Sequence, residues 1–186
     1  AKHYCPNTED CTSKIIEQFK HFISRDAMNI DGLGGETIEL LIQEGLISKF
    51  SDLYQLRKED LLPLERIADK SAENLLQGVE RSKKMPFEKV LFGLGIRYVG
   101  KTVSKVLVKH FKTIEALMSA DFEALVAVDE IGDKIAESVI LYFESEVTQN
   151  LIANLKDSGL QFILTLQDIR ISEKLKGEKI VVSGVF

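Results

Sequence analysis

The sequence predicts a mainly α fold built from tandem helix-hairpin-helix repeats, with a β-strand beginning near its end. Apolar residues recur at helical spacing, four short turns recur at a steady interval, and each turn precedes a helical segment. The last residue of each turn serves as its anchor, and the anchors are Gly34, Ala68, Gly100 and Gly132. Steps of 34, 32 and 32 residues separate them, a period typical of a repeated supersecondary unit.

The four turns share one design. Hairpins 1 to 4 are residues 31–34, 65–68, 97–100 and 129–132. Each has an apolar residue directly before its anchor, and a small or apolar residue follows four positions after it: Ile38, Ala72, Ser104 and Ala136. Such a turn leaves backbone N–H groups free at a helix start, where a phosphate can bind. The repeat therefore points to nucleic acid.

The remaining elements follow from the same periodicity. A first helix begins near Lys14, and the helix after hairpin 1 runs to Gly45, a candidate C-cap. Further helices or helical turns are predicted at 51–56, 58–62, 71–82, 86–94, 101–110, 119–128, 133–143 and 148–158. We therefore expect a hairpin domain over 13–160, a linker over 161–173, and the first strand of a truncated second domain over 174–186.

The composition is that of a globular chain. Of 186 residues, 45% are apolar and 28% are charged, so a sizeable core is available. No run of 18 apolar residues occurs, so we expect no membrane span. The first residues do not resemble a signal peptide. The absence of an initiator Met and the end within a predicted strand suggest a piece of a longer protein.

The charges are unevenly distributed. The net charge of −5 argues mildly against a general nucleic-acid binder. Residues 90–113, however, contain five Lys or Arg and no acid, whereas residues 114–150 contain nine acids and one base. A basic face can therefore bind phosphate although the whole chain is acidic.

Hairpin 3 is the strongest candidate for phosphate binding. Lys101, Lys105 and Lys109 follow Gly100 at four-residue spacing and form one basic stripe. The ordinary alternative for such lysines is a solvated helix face. The candidate DNA-contacting residues over all hairpins are Gly32, Gly34, Arg66, Lys70, Ser71, Arg97, Val99, Gly100, Lys101, Thr102, Lys105, Lys109, Gly132 and Lys134.

The other hairpins are weaker candidates. Hairpin 1 keeps both glycines, but Asp31 and Glu36 flank it, so a purely structural role is as well supported. Hairpin 2 lacks both glycines but has Arg66, with Lys70 and Ser71 at the helix start. Hairpin 4 has an acidic approach and one nearby base. We therefore expect architectural or backbone-only roles for hairpins 1 and 4.

Cys5 and Cys11 permit three interpretations from chemistry alone. They could be free thiols, a disulfide, or half of a zinc site, which needs four ligands. A chain with two cysteines and no signal peptide fits a reducing compartment, which disfavours the disulfide.

The chain closely resembles the C-terminal half of bacterial NAD-dependent DNA ligase. The resemblance includes the cysteine segment Cys5-Pro6-Asn7 with Cys11, and the run FISRDAMNIDGLG at 22–34. Shorter matching stretches are DLYQL at 52–56, KSAENL at 70–75 and LGIRYVG at 94–100. Residues 175–184 resemble the first strand of a BRCT domain, which has an α/β fold.

The resemblance implies a role in sealing nicks in duplex DNA during replication and repair. It implies that NAD adenylates a lysine outside this chain and that Mg acts there, so no catalytic residue and no NAD site are expected here. It also implies that Cys5 and Cys11 are the third and fourth ligands of a four-cysteine zinc finger whose second half is residues 1–12. The implied partner is nicked double-stranded DNA, and the implied parent is a monomer in the bacterial cytoplasm, at the nucleoid.

Two other classes of function remain as alternatives. A repair nuclease would need clustered carboxylates for a metal, whereas the acids at 114–150 have helical spacing. A protein-interaction module without a DNA role would fit the acidic surroundings of hairpin 4.

Overall fold

The computed structural model describes residues 12–65 and 67–165. Cys5, Cys11, Arg66 and the predicted strand at 174–186 lie outside the described residues, as does most of the predicted linker. The helices are α1 (Thr12–Ile23), α2 (Gly35–Gln43), a 3₁₀ helix (Phe50–Tyr54), α3 (Lys58–Leu61), α4 (Asp69–Ser82), α5 (Phe87–Gly93), α6 (Lys101–Phe111), α7 (Ile114–Met118), α8 (Phe122–Val126), α9 (Asp133–Glu144) and α10 (Glu146–Asp157). The mainly α prediction is confirmed. Within this part of the chain, no helix has the length and apolarity to cross a bilayer.

Each predicted anchor is the N-cap of a helix. Gly34, Ala68, Gly100 and Gly132 precede α2, α4, α6 and α9 in extended backbone, with φ of −100°, −76°, −85° and −90°. The residue four positions after each anchor is 0% exposed in all four repeats. The repeated unit is therefore a helix-hairpin-helix, as the spacing predicts.

The second residue of the turn lies in the left-handed region wherever the structure describes it. Gly32 has φ of 83°, Tyr98 of 65° and Glu130 of 69°. The following apolar residue is buried in these three hairpins. Glycine is the residue that adopts this conformation without strain, but two of the three turns keep the conformation without glycine.

The four hairpins are arranged as two copies of a larger unit. Gly100 lies 66 residues after Gly34, and Gly132 lies 64 residues after Ala68. With an offset of 64 residues, α7 matches the 3₁₀ helix and α8 matches α3. Left-handed residues recur as well, since Asn29 (φ 47°) matches Gly95 (φ 71°). The chain from α1 to α4 and the chain from α5 to α9, called here the first and second halves, are therefore structural repeats.

In each half the turn of the first hairpin packs on the last helix, but the contact differs. In the first half, a Cβ added at Gly78 of α4 would lie 2.2 Å from the carbonyl oxygen of Asp31. In the second half, Ser138 Oγ of α9 donates a hydrogen bond of 2.8 Å to the carbonyl oxygen of Arg97. Position 78 matches Tyr142, whose hydroxyl donates to the Leu94 carbonyl oxygen at 3.3 Å. Backbone contact in one half is thus replaced by side-chain hydrogen bonds in the other.

The packed structure continues past α10 as an extended segment. Phe162 is buried, and its ring centroid lies 6.0 Å from that of Phe87. The Ile114 N–H donates to the Phe162 carbonyl oxygen at 3.0 Å, and the Leu164 N–H donates to that of Lys112 at 2.7 Å. The first described residues of the predicted linker therefore pack against the second half.

Candidate nucleic-acid interface

Helix α6 places the predicted basic stripe on the surface. Lys101, Lys105 and Lys109 are exposed, whereas Leu107 and Val108 are fully buried. Residues four apart lie on the same face of an α-helix, so the three ammonium groups share one side of α6. Thr102 is exposed next to the stripe.

Two of these lysines form ion pairs with carboxylates from other elements. Lys101 Nζ lies 2.5 Å from Asp26 Oδ2, in the loop after α1, and Lys105 Nζ lies 4.0 Å from Glu88 Oε1 of α5. The hydrogen bond from Lys101 lowers the pKa of Asp26 below its ordinary value. Both pairs are solvent-accessible, and such pairs contribute little to stability because water and salt screen them. A phosphate could therefore compete for these lysines.

The hairpin helices begin without a side-chain cap. At the starts of α2, α4, α6 and α9 no side chain accepts a hydrogen bond from the first turn. The short helices α7 and α8 are capped, because Thr113 Oγ1 accepts from the Ala116 N–H at 3.2 Å and Asp121 Oδ1 accepts from the Ala124 N–H at 2.8 Å, whereas α5 and α10 lack a side-chain cap as well. The first N–H groups of a helix have no intrahelical partner and lie at the positive end of its dipole. The hairpin helices therefore offer donors to an anion from outside.

The anchor glycines also leave open space at these helix starts. A Cβ added at Gly34, Gly100 or Gly132 would meet no atom within 4 Å among the described residues. All three have negative φ, which any residue adopts. Neither backbone conformation nor internal packing requires glycine at these positions. Glycine at these positions would, however, allow a group outside the chain to approach the backbone closely.

In hairpin 1 the surrounding charges are partly compensated. Gly32 and Gly34 are exposed, as predicted for contact residues. Asp31 Oδ2 lies 3.7 Å from Arg81 Nη2, and Lys20 pairs with Glu39 of α2 at 3.2 Å. The start of α2 therefore has an open backbone but no stripe of basic side chains.

Hairpins 2 and 4 present fewer cations. Lys70 and Ser71 are exposed at the start of α4, where Lys58 binds Asp69 and Glu73 at 2.9 and 2.7 Å. In hairpin 4, Gly132 and Lys134 are exposed among the exposed acids Asp129, Glu130 and Asp133. Backbone contacts are possible at both helix starts, but only hairpin 3 adds a row of lysines.

Val99 needs a correction. Its side chain is 5% exposed, and its N–H donates to the Ile96 carbonyl oxygen at 3.0 Å. Val99 is therefore the apolar residue that fills the turn, and it offers neither a side chain nor a free donor to a ligand. Ile131 is used in the same way, with its N–H donating to the Val128 carbonyl oxygen.

Tyr98 is an exposed residue of hairpin 3 that the sequence prediction did not include among the candidate contacts. This residue is 52% exposed, with φ of 65°, and the Arg97 guanidinium carbon lies 4.8 Å from the centroid of its ring. The signal that could have found it is a bulky aromatic residue at a turn position where hairpin 1 has glycine.

Within the described residues, no group of three or more His, Cys, Asp or Glu could hold a metal ion.

Four uncapped, hairpin-led helices in a duplicated arrangement define a helix-hairpin-helix fold. Consistent with this, the family model described as "Helix-hairpin-helix motif" matches residues 89–152, which cover hairpins 3 and 4.

The chain is homologous over its whole length to bacterial proteins named DNA ligase. It is 54% identical to the DNA ligase of Christiangramia forsetii and 53% identical to that of Flavobacterium psychrophilum, in each case over 187 aligned positions that cover 100% of this chain. Identity to the DNA ligase of Bacteroides fragilis is 50% over the same length. The chain spans 28% of the length of each of these relatives.

Proposed function

We propose that this chain grips the sugar-phosphate backbone of duplex DNA near a nick, without sequence specificity, as the DNA-binding portion of a DNA ligase. The carrying observation is the start of α6, where uncapped N–H groups, open space at Gly100 and three exposed lysines occur together. Homology to DNA ligases supports duplex DNA as the ligand.

The proposed contacts explain why base sequence would not matter. Backbone N–H groups and lysines would bind phosphate oxygens, and such contacts fix position without reading bases. Lys70, Ser71 and Lys134 would add side-chain contacts at hairpins 2 and 4, and Gly32 and Gly34 would allow backbone contact at hairpin 1. Each neutralised phosphate contributes about −0.9 to the slope of log affinity against log salt.

The larger enzyme would supply the chemistry. We propose that it is an NAD-dependent ligase that also uses Mg, that nick sealing takes place outside this chain, and that it acts as a monomer at the bacterial nucleoid. Cys5 and Cys11 would provide two of four zinc ligands in residues 1–12. The hairpin domain over 13–160 with the packed segment 161–165, the remainder of the linker to residue 173 and the BRCT strand over 174–186 complete the proposed organisation.

Titration of this chain with fluorescently labelled nicked and intact duplexes at several salt concentrations would test the proposal. We expect binding that weakens steeply with salt, and a loss of at least tenfold when Lys101, Lys105 and Lys109 are all changed to Glu. Undetectable binding by the wild-type chain at low salt would overturn the proposal. Undiminished binding by the triple variant would remove hairpin 3 as the contact.

A matched control separates the stripe from net charge. Lys49, Arg57 and Lys84 are exposed cations outside the hairpins, and their joint change to Glu alters the net charge by the same amount. We expect this control to weaken binding far less than the stripe variant. Equal losses would show that only overall charge matters.

A further inference from the structure

We infer that Tyr98 is a DNA-contact residue whose ring packs against a deoxyribose of the strand held at hairpin 3. This inference rests on the proposed function and adds a sugar contact to it. It starts from the side chain of Tyr98, which lies two residues before Gly100 and is 52% exposed.

The conformation of Tyr98 is costly for its residue type. A left-handed φ is uncommon outside glycine and unusual for a bulky side chain, yet Tyr98 has φ of 65°. Gly32, the matching residue of hairpin 1, has φ of 83° without that cost. Across the described residues, the Tyr98 hydroxyl makes no hydrogen bond, and half of the side chain lies in solvent. The core therefore does not account for a tyrosine here.

The neighbouring arginine orients the ring. The Arg97 guanidinium lies 4.8 Å from the ring centroid, a distance at which a cation is attracted to an aromatic face. Its backbone is held as well, because the Arg97 carbonyl accepts from Ser138 of α9. The ring thus lies on a turn that is held in place by this hydrogen bond, with a cation over one face and about half of the residue exposed to solvent.

The chemistry of a duplex selects the sugar as the partner. Bases inside an intact duplex are stacked on their neighbours, so their faces cannot receive another ring, whereas deoxyriboses lie along the backbone. A ring beside a phosphate site can cover the apolar carbons of the adjoining sugar. Such a contact reads no base and agrees with binding that ignores sequence.

The test compares Tyr98→Gly, Tyr98→Phe and a matched control, Glu130→Gly, in this chain. Both glycine variants remove the strain of a left-handed backbone at the same position of a hairpin. We therefore expect each variant to have a thermal midpoint equal to or above that of the wild type. We expect Tyr98→Gly to weaken binding to nicked and intact duplex about fivefold to tenfold, because the apolar contact with the sugar is lost. Tyr98→Phe should stay within about twofold because the ring is kept, and Glu130→Gly should bind no more weakly than wild type.

Three outcomes would overturn the inference. Unchanged affinity in Tyr98→Gly would show that the ring touches no DNA. A loss only with single-stranded DNA would show that the ring stacks on free bases instead of sugars. A lower thermal midpoint together with weaker binding would show a structural role. If wild type itself does not bind duplex, the proposed function fails, whereas salt-sensitive wild-type binding with an inert Tyr98 defeats this inference alone.

Discussion

Helices α2 and α6 occupy matching places in the two halves but have opposite surface chemistry. Both begin after an exposed anchor glycine, and Leu41 and Leu107 are each 0% exposed at the same position. On the surface, however, Glu39 matches Lys105 and Gln43 matches Lys109. The duplicated core thus preserves the backbone of the hairpins while the exposed positions diverge. The positions that the two copies share therefore determine the fold, and the exposed positions at which they differ indicate where a polyanion would bind.

A second difference concerns how closely the turn of the first hairpin packs on the last helix of each half. Hairpin 1 lies directly on the backbone of α4 at Gly78, whereas Tyr142 occupies the matching place in α9. The half without the lysine stripe thus has the closest helix-to-turn contact. The half with the lysine stripe uses hydrogen bonds from Ser138 and Tyr142. This contrast favours the mainly architectural role that the sequence predicts for hairpin 1.

Gly78→Ala should have the largest effect on this comparison. Alanine is favoured over glycine inside a helix by about 1 kcal/mol, so an unhindered site would gain stability. Here the new Cβ would lie 2.2 Å from a backbone oxygen of Asp31, and such overpacking costs about 1–3 kcal/mol or more. We expect a net loss of about 2 kcal/mol in urea unfolding. The matched control, Tyr142→Phe, should lose about 1 kcal/mol at most. A Gly78→Ala chain as stable as wild type would show that hairpin 1 is not locked on α4.

Gly34→Ala and Gly100→Ala should sharpen the difference between hairpins 1 and 3. Neither Cβ meets an atom within 4 Å, so unfolding free energies should stay within about 1 kcal/mol of wild type. We expect Gly100→Ala to weaken binding to nicked duplex about tenfold, because the methyl group occupies the path to the N–H groups of α6. Gly34→Ala should change it about twofold or less. Equal losses in fluorescence titrations would mean that both hairpins hold DNA alike.

The sequence predicted the parts of this comparison that depend on local pattern. Apolar spacing located the long helices, and the anchors predicted their starts, since burial at anchor-plus-four is required in every repeat. Helix α7 (Ile114–Met118) was missed. The pairing of Lys101 with Asp26 joins residues 75 positions apart, and no local pattern encodes it. Val99 was misjudged as a contact because turn geometry decides which of two neighbouring residues points inward, and Val99 is the buried one.

Ser104→Ala should produce a smaller effect, in the direction of greater stability. Ser104 is 0% exposed, and its hydroxyl is the buried side-chain group without a hydrogen-bond partner in the described structure. The matching residues of hairpins 2 and 4 are Ala72 and Ala136. Removing an unsatisfied hydroxyl should stabilise the chain by about 1 kcal/mol in urea unfolding, with DNA affinity unchanged. The reciprocal change, Ala136→Ser, should cost about as much. A less stable Ser104→Ala would show that the hydroxyl bonds the Gly100 carbonyl in solution.

Asp26→Asn should have the smallest effect, and it tests whether the stripe of the second half is restrained by the first. Asp26 belongs to the loop after α1, and its carboxylate lies 2.5 Å from Lys101 Nζ. Because this carboxylate competes with phosphate for the ammonium group, its removal should tighten binding to nicked duplex about twofold to threefold at low salt. Asp157→Asn removes an equal charge at the end of α10 and should change affinity less. Indistinguishable titrations of the two variants would mean that the ion pair does not restrain Lys101.

The pH dependence of Asp26→Asn follows from the direction of the pKa shift. The hydrogen bond from Lys101 lowers the pKa of Asp26, so the carboxylate is charged above the ordinary Asp value of about 3.9 and loses its charge only below it. The stability that the pair contributes is therefore fully present above about pH 4 and is lost as the pH falls through the lowered pKa. We expect the affinity ratio of Asp26→Asn to wild type to stay constant between about pH 5 and pH 8. A ratio that changes within this window would assign the effect to another titrating group, since Asp26 does not change its charge there.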